Sequence, residues 1–300
     1  MPADSPRPEW IAASLDGQAL TLWPMQGSRA GAPMQRRLAD PGPAALAAEV
    51  QAALADLPGG RTAPLLLSGG GLVPPRAVPA APGDLEPVAC ELEGIRLHAL
   101  PGLSQSTPGG LMQGAETRLA GFFALNPEWD GAVCLPGAVS HWVQASAREA
   151  VSFQSALTAA LAQAALMQAG LPEDAAWDRA ALQEAAADGI AKPEMLAARL
   201  AAAQADLALG RLPAANAAGR IWGLLLGAEL AAAKPYWLGQ NAALIAAGPL
   251  QPLYATALEA QGLPFTVAEP EPLALEGLIR AWARLQDKNG AEAPAAGRLH

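Results

Sequence analysis

Four short segments pair a tight turn or glycine run with a polar side chain suited to a phosphate or a proton, and a fifth is a glycine-proline step between a strand and a helix. Asp16-Gly17 lies between two apolar runs, where an aspartate could orient a metal ion and the backbone N–H groups of Gly17 could touch phosphate. A plain hairpin turn explains the same pair. Ser68-Gly69-Gly70-Gly71 follows an apolar run, so Gly69 and Gly70 are candidates for close backbone approach to a substrate, or for a connector. In Gln113-Gly114-Ala115-Glu116, Gly114 and Glu116 could meet a substrate hydroxyl, with Glu116 also a candidate catalytic carboxylate. Its place in a first helical turn gives the carboxylate a dipole partner without any ligand. Pro136-Gly137-Ala138-Val139-Ser140-His141 offers Gly137 and Ser140 to phosphate, while alternation puts His141 beside Val139 and Val143 as a packed residue. Ala246-Ala247-Gly248-Pro249, between a strand and a helix, could seat a nucleotide base at Gly248 and Pro249. Other chemistries lack their residues: there is no Walker Gly-Lys-Ser/Thr, no GxSxG, no CxxC, and only three histidines.

These segments need strands and helices to hold them. The runs Trp10–Ser14 and Ala19–Trp23 flank Asp16-Gly17 and predict a β-hairpin. Pro43–Leu57 has helical spacing, and Leu65–Leu67 predicts a buried strand before the glycines. Further strands are expected at Ile95–Leu100, Ala132–Leu135 and Val139–Gln144, with a helix at Gln113–Leu125. The second half predicts helices at Arg148–Gln168, Ala176–Ala187, Pro193–Leu209 and Ala214–Ala233. Gly223 and Gly227 lie on one helical face, so something must pack close to them. Short strands at Leu244–Ala247 and Phe265–Ala268 bracket a helix, and Leu273–Leu285 is a last helix. The chain is expected to divide into an α/β domain over 9–146, a helix-rich α/β domain over 147–286 and a loose tail over 287–300.

Composition narrows the partners. Apolar residues are 52% of 300 and charged residues 16%, which supports a packed core. The net charge is −9 and lysine occurs only at 192, 234 and 288. Nucleic acid and anionic membranes both need clustered cations, so neither is expected as a partner. Cys90 and Cys134 sit in apolar runs and read as reduced thiols, and the cytoplasm is the expected compartment.

In order and spacing, MQGAETRLAG (112–121), VCLPGAVSHWVQ (133–144), GRLPAANAAGRIWGLLLGAEL (210–230), AAGPLQPLYATALEAQG (246–262) and ALEGLI (274–279) resemble the 2-dehydro-3-deoxygalactonate kinase family. The resemblance implies an α/β fold with two ribonuclease-H-like domains of the actin/hexokinase/Hsp70 type and a central cleft. It implies ATP with Mg²⁺ as donor and the 6-hydroxyl of a 2-keto-3-deoxy sugar acid as acceptor, and it admits a homodimer. The family opens on Asp-Trp-Gly-Thr-Thr-Asn-Leu-Arg, where this chain reads Ser14-Leu15-Asp16-Gly17-Gln18-Ala19-Leu20-Thr21. Ser14 therefore takes the place of the metal-orienting aspartate and Thr21 that of the arginine. Asp16 serves as metal ligand only if the hairpin shifts by two residues. By the same comparison Ala115 replaces a glutamate, and Ala138, Val139 and His141 replace a threonine, a histidine and a lysine. Ala156 replaces a further acid. Two functions follow: a sugar-acid kinase working through Asp16 and Glu116, or an inactive relative that binds a ligand or regulates.

Overall fold

A computed structural model describes residues 7–292. Asp16-Gly17 closes the expected hairpin between β1 (Trp10–Asp16) and β2 (Ala19–Gln26), with Gly17 at φ +59°. Two short strands follow, β3 (Arg29–Ala30) and β4 (Met34–Arg37), both antiparallel to β2. Helix α1 (Pro43–Asp56) starts on proline, whose missing N–H costs nothing in a first turn. It leads to β5 (Leu65–Ser68), wholly buried and parallel to β1. Then come β6 (Arg76–Ala77), the hairpin β7 (Val88–Leu92) and β8 (Ile95–Ala99), and the small strands β9 (Leu103–Gln105) and β10 (Gly110–Met112). Helix α2 (Ala115–Leu125) begins two residues later than expected, because Gly114 takes a φ of +97° that no helix accommodates.

The next sheet opens with β11 (Gly131–Leu135), β12 (Ser140–Ser146) and β13 (Glu149–Ala156). The helix expected over Arg148–Gln168 is thus a strand in its first part, and only α3 (Thr158–Gln168) is helical. The turn into β13 uses Ala147 and Arg148 at φ +51° and +64°, a pair that twists with the flanking strands. Helices α4 (Arg179–Ala191), α5 (Leu196–Ala208), α6 (Ala214–Ala232) and α7 (Lys234–Trp237) follow. Strand β14 (Ala242–Ile245), α8 (Leu250–Ala260) and β15 (Phe265–Ala268) form a parallel unit. The last helix, α9 (Pro270–Glu292), runs beyond the expected Leu285, so 287–292 are helical rather than loose, while 293–300 lie outside the described residues. Among the described residues, no helix is long and apolar enough to cross a membrane.

The chain forms two compact units. Of the described residues, the first holds 7–129, Ala147–Ala150 and 271–292; the second holds Asp130–Ser146 and Val151–Pro270. The last helix therefore belongs with the first unit, whereas the sequence grouping placed it with the second. In the first unit the main sheet runs β3-β2-β1-β5-β8-β7; in the second it runs β13-β12-β11-β14-β15. One plan recurs in both. An antiparallel hairpin supplies the first strand, and two parallel strands extend the sheet on its other side. Carboxyl ends of parallel strands are where α/β sheets bind ligands. In each unit the hairpin loop and a glycine segment, Gly69–Gly71 or Ala247–Pro249, fall at that end.

In the first unit, Ile11, Ala13 and Leu15 pack with Leu46, Val50 and Leu54 of α1 in one core. Strand alternation sends Trp10, Ala12, Ser14 and Asp16 to the other face. There Trp10 stacks on Trp282 of α9 at 4.7 Å. Helices α2 and α9 meet through glycines: a Cβ on Gly121 would lie 2.1 Å from the Leu273 carbonyl oxygen, and one on Gly277 2.2 Å from that of Thr117. In the second unit α4 and α6 approach in the same way. A Cβ on Gly223 would stand 2.3 Å from Leu182 O and one on Gly227 2.3 Å from Ala186 O, which accounts for the close packing that their spacing predicts.

Candidate functional site

On the sheet face opposite α1, Ser14 is the register partner of Thr21 in β2 and of Ser68 in β5. Register partners project to one side, so the three hydroxyls share a face near the carboxyl ends of β1 and β5. Ser68 and Ser14 are buried and Thr21 is half-buried. Asp16 lies two residues past Ser14 on that face, its side chain 42% exposed. Its Oδ2 accepts a hydrogen bond from Nη2 of Arg118 in α2, whose side chain is only 7% exposed. A buried cation without a partner is costly, so Asp16 is held to Arg118 as counter-ion.

Glu116 is buried beside this pair. Its Oε1 accepts from Ser68 Oγ at 2.8 Å and its Oε2 from the Gly114 N–H at 2.6 Å. Thr117 Oγ1 donates to Gly114 O at 2.9 Å, which ties down the same turn. Burial pushes the Glu116 carboxyl up to about 7, against the pull of the Ser68 hydroxyl, the Glu116 and Gly114 N–H groups and the Arg118 charge. Gly69 and Gly114 both press on β1: a Cβ would stand 2.4 Å and 2.3 Å, respectively, from the Leu15 carbonyl oxygen. These two candidate substrate glycines have a packing duty that accounts for their identity. Gly17 and Gly70 are exposed.

The other candidates lie in the second unit. Gly137 is half-buried in the loop between β11 and β12. Ser140 is 1% exposed, and its Oγ donates to Ala156 O at 3.2 Å, so it faces inward. His141 is buried as well, its Nδ1 2.8 Å from Ser155 Oγ and its ring edge-on to Phe153. Gly248 and Pro249 are exposed at the end of β14. A Cβ on Gly248 would meet nothing within 4 Å, so its φ of +59°, not crowding, calls for glycine.

One polar centre is not foreseen as such by residue reasoning. Glu229 of α6 is buried and accepts from Trp142 Nε1 and from Tyr254 Oη, each at 2.9 Å. Burial raises its proton affinity, opposed by hydrogen bonds from Thr158, Trp142, Tyr254 and Ser140. This carboxylate joins β12, α3, α6 and α8 within the second unit. A lone acid in the apolar run Gly223–Leu230 is the signal that could have revealed it.

Two sheets with the same hairpin-plus-parallel plan, each with a turn and a glycine segment at the carboxyl end, define a mixed α/β fold of the actin/hexokinase/Hsp70 type. Over residues 20–281 the chain matches the model of the 2-keto-3-deoxy-galactonokinase family, and it belongs to that family. It is 31% identical over 188 residues to the 2-dehydro-3-deoxygalactonokinase of Escherichia coli K12, a match that spans 58% of this chain and 60% of the relative. A crystal structure described as a 2-dehydro-3-deoxygalactonokinase protein from Sinorhizobium meliloti superposes with a TM-score of 0.78 at 23% identity, over 97% of this chain and 99% of that one. The activator of the 2-hydroxyisocaproyl-CoA dehydratase of Clostridium difficile, with bound ADPNP, shares the fold at a TM-score of 0.55 and 8% identity, over 94% of this chain and 97% of that one.

Proposed function

We propose that this chain keeps the ligands of its family, a nucleotide and a 2-keto-3-deoxy sugar acid, and has lost metal-assisted phosphoryl transfer between them. The observation that carries this reading is the Asp16–Arg118 pair: the one carboxylate of the β1–β2 loop is already bound to a cation. The family implies Mg²⁺ alongside ATP, and the donor set does not fit it. Magnesium binds through one or two carboxylates beside the phosphates. Both Glu116 oxygens are taken by Ser68 and Gly114, and Ser14 offers only a hydroxyl. Among the described residues there is no group of three or more His, Cys, Asp or Glu that could hold a metal ion. Removing one group aimed at charge that develops in a transition state typically costs about 10²–10³ in rate, as for an oxyanion-hole donor.

Within the first unit Gly17 remains a candidate phosphate contact and Gly69, Gly70 and Gly114 candidates for the sugar acid; within the second unit Gly137, Gly248 and Pro249 remain candidate nucleotide contacts, with Ser140 buried behind its loop. The cytoplasm is the compartment proposed for both ligands. A second reading, a working kinase, is supported by the buried setting of Glu116. Burial pushes the Glu116 carboxyl up to about 7, the range in which a general base works best. The test is ADP release from ATP, Mg²⁺ and 2-keto-3-deoxygalactonate, with calorimetry of each ligand alongside. We expect binding without turnover above background. Mg²⁺-dependent ADP release that disappears in Asp16→Asn would establish the kinase instead.

A further inference from the structure

The loop between β1 and β2 carries more cation than its acidic sequence suggests. On one side Arg118 reaches Asp16 Oδ2. On the other, Nη2 of exposed Arg37 in β4 lies 3.5 Å from Gln18 Oε1. The neighbouring Arg36 is already paired, to Asp56. Two guanidiniums therefore frame Asp16-Gly17-Gln18, and Asp16 is the carboxylate hydrogen-bonded to one of them, with the buried Glu116 carboxyl feeling the Arg118 charge from behind. Each guanidinium has five N–H donors in a planar fork that matches phosphate oxygens. Arg118 cannot swing away, because its side chain is buried. The fixed charge sits beside the hydroxyl face of Ser14, Thr21 and Ser68.

We propose that Arg118 is the resident cation of this loop, holding a ligand phosphate without a divalent metal, with Asp16 occupying its guanidinium until phosphate displaces it. The idea rests on the nucleotide reading above for the identity of the ligand. It departs from the family in assigning the metal's electrostatic work to a side chain. Asp16 then competes with ligand, where the metal account makes it a ligand-binding residue. The two accounts predict opposite effects of the same substitution. Neutralising Asp16 removes a competing charge at contact distance from the guanidinium, so Asp16→Asn has a measurable effect on affinity.

The experiment is calorimetric titration of the full chain with ATP, and separately with inorganic pyrophosphate, in EDTA and in excess MgCl₂. Wild type should bind ATP with an affinity that differs by less than about threefold between the two media. Asp16→Asn should bind both probes about tenfold tighter in EDTA, equivalent to ~1.4 kcal/mol. Arg37→Gln, an exposed position, should weaken binding by about threefold with folding intact, while Arg118→Gln should abolish it. Wild-type binding that requires Mg²⁺ and is lost in Asp16→Asn overturns the proposal. So does an unchanged affinity of Asp16→Asn for both probes. If pyrophosphate shows the gain while ATP does not bind, the phosphate site stands and the nucleotide reading falls.

Discussion

Glu116 accepts two hydrogen bonds in a buried pocket, and its carboxyl is pushed from an ordinary 4.5 up to about 7. A group whose folded pKa is raised stabilises the fold fully below its unfolded value, and that contribution is lost as pH rises through the folded value. The window is therefore about pH 4.5 to 7, and the sign is a loss of stability on going alkaline. A shift of this size corresponds to roughly 3 kcal/mol. Glu229 shifts in the same direction and adds to the slope. The comparison that isolates Glu116 is wild type against Glu116→Gln: the wild-type melting temperature should fall across this window by several degrees more than the variant's. Parallel pH profiles would show that Glu116 holds no such proton. At this scale the sequence was partly legible. Ser14, Thr21, Asp16 and Glu116 can each be singled out as residues, and the register does put Ser14 opposite Thr21. Arg118 as the partner of Asp16 could not be read, because 102 residues separate the two and only the docking of α2 on the sheet joins them.

Helix α6 illustrates how packing overrides intrinsic preference. In an isolated helix Gly→Ala gains about 1 kcal/mol. At Gly223 and Gly227 the added methyl would stand 2.3 Å from carbonyl oxygens of α4, and neither backbone can yield without parting the helices. Overpacking of this kind costs about 1–3 kcal/mol or more. We expect Gly223→Ala and Gly227→Ala each to lower the midpoint of urea unfolding at an unchanged slope. A higher midpoint would mean that the helices re-space freely. The spacing of these glycines made the close approach legible. Strand β13 was not legible, because Glu149–Ala156 joins an alanine-rich run whose composition favours helix. What decides for strand is the positive φ of Ala147 and Arg148, residues that carry no turn signal in the sequence. Short edge strands such as β3, β4 and β7 escape for a related reason: their partly exposed faces lack a clean apolar alternation.

At the scale of the molecule, the two units repeat one sheet plan with different buried acids, Glu116 in the first and Glu229 in the second. The repetition is invisible in residue identity, since backbone topology carries it. The first unit is also assembled from distant parts of the chain. Helix α9 brings Trp282 onto Trp10, Gly277 onto Thr117 and Leu273 onto Gly121. Trp282→Ala should cost this unit ~2–3 kcal/mol, of which the ring stack supplies about 0.5–1.5. Circular dichroism during urea unfolding should then resolve an early transition for the first unit, with the second unchanged. A single transition at the wild-type midpoint would mean that α9 adds little. The docking of α9 has a consequence for biosynthesis. Trp10 leaves the ribosome long before Trp282, and at roughly 5–20 residues per second the interval is on the order of 15–50 s. For that time the Trp10 indole of the early-made sheet lacks the ring that stacks on it in the folded unit, so the sheet is finished only when the last helix arrives.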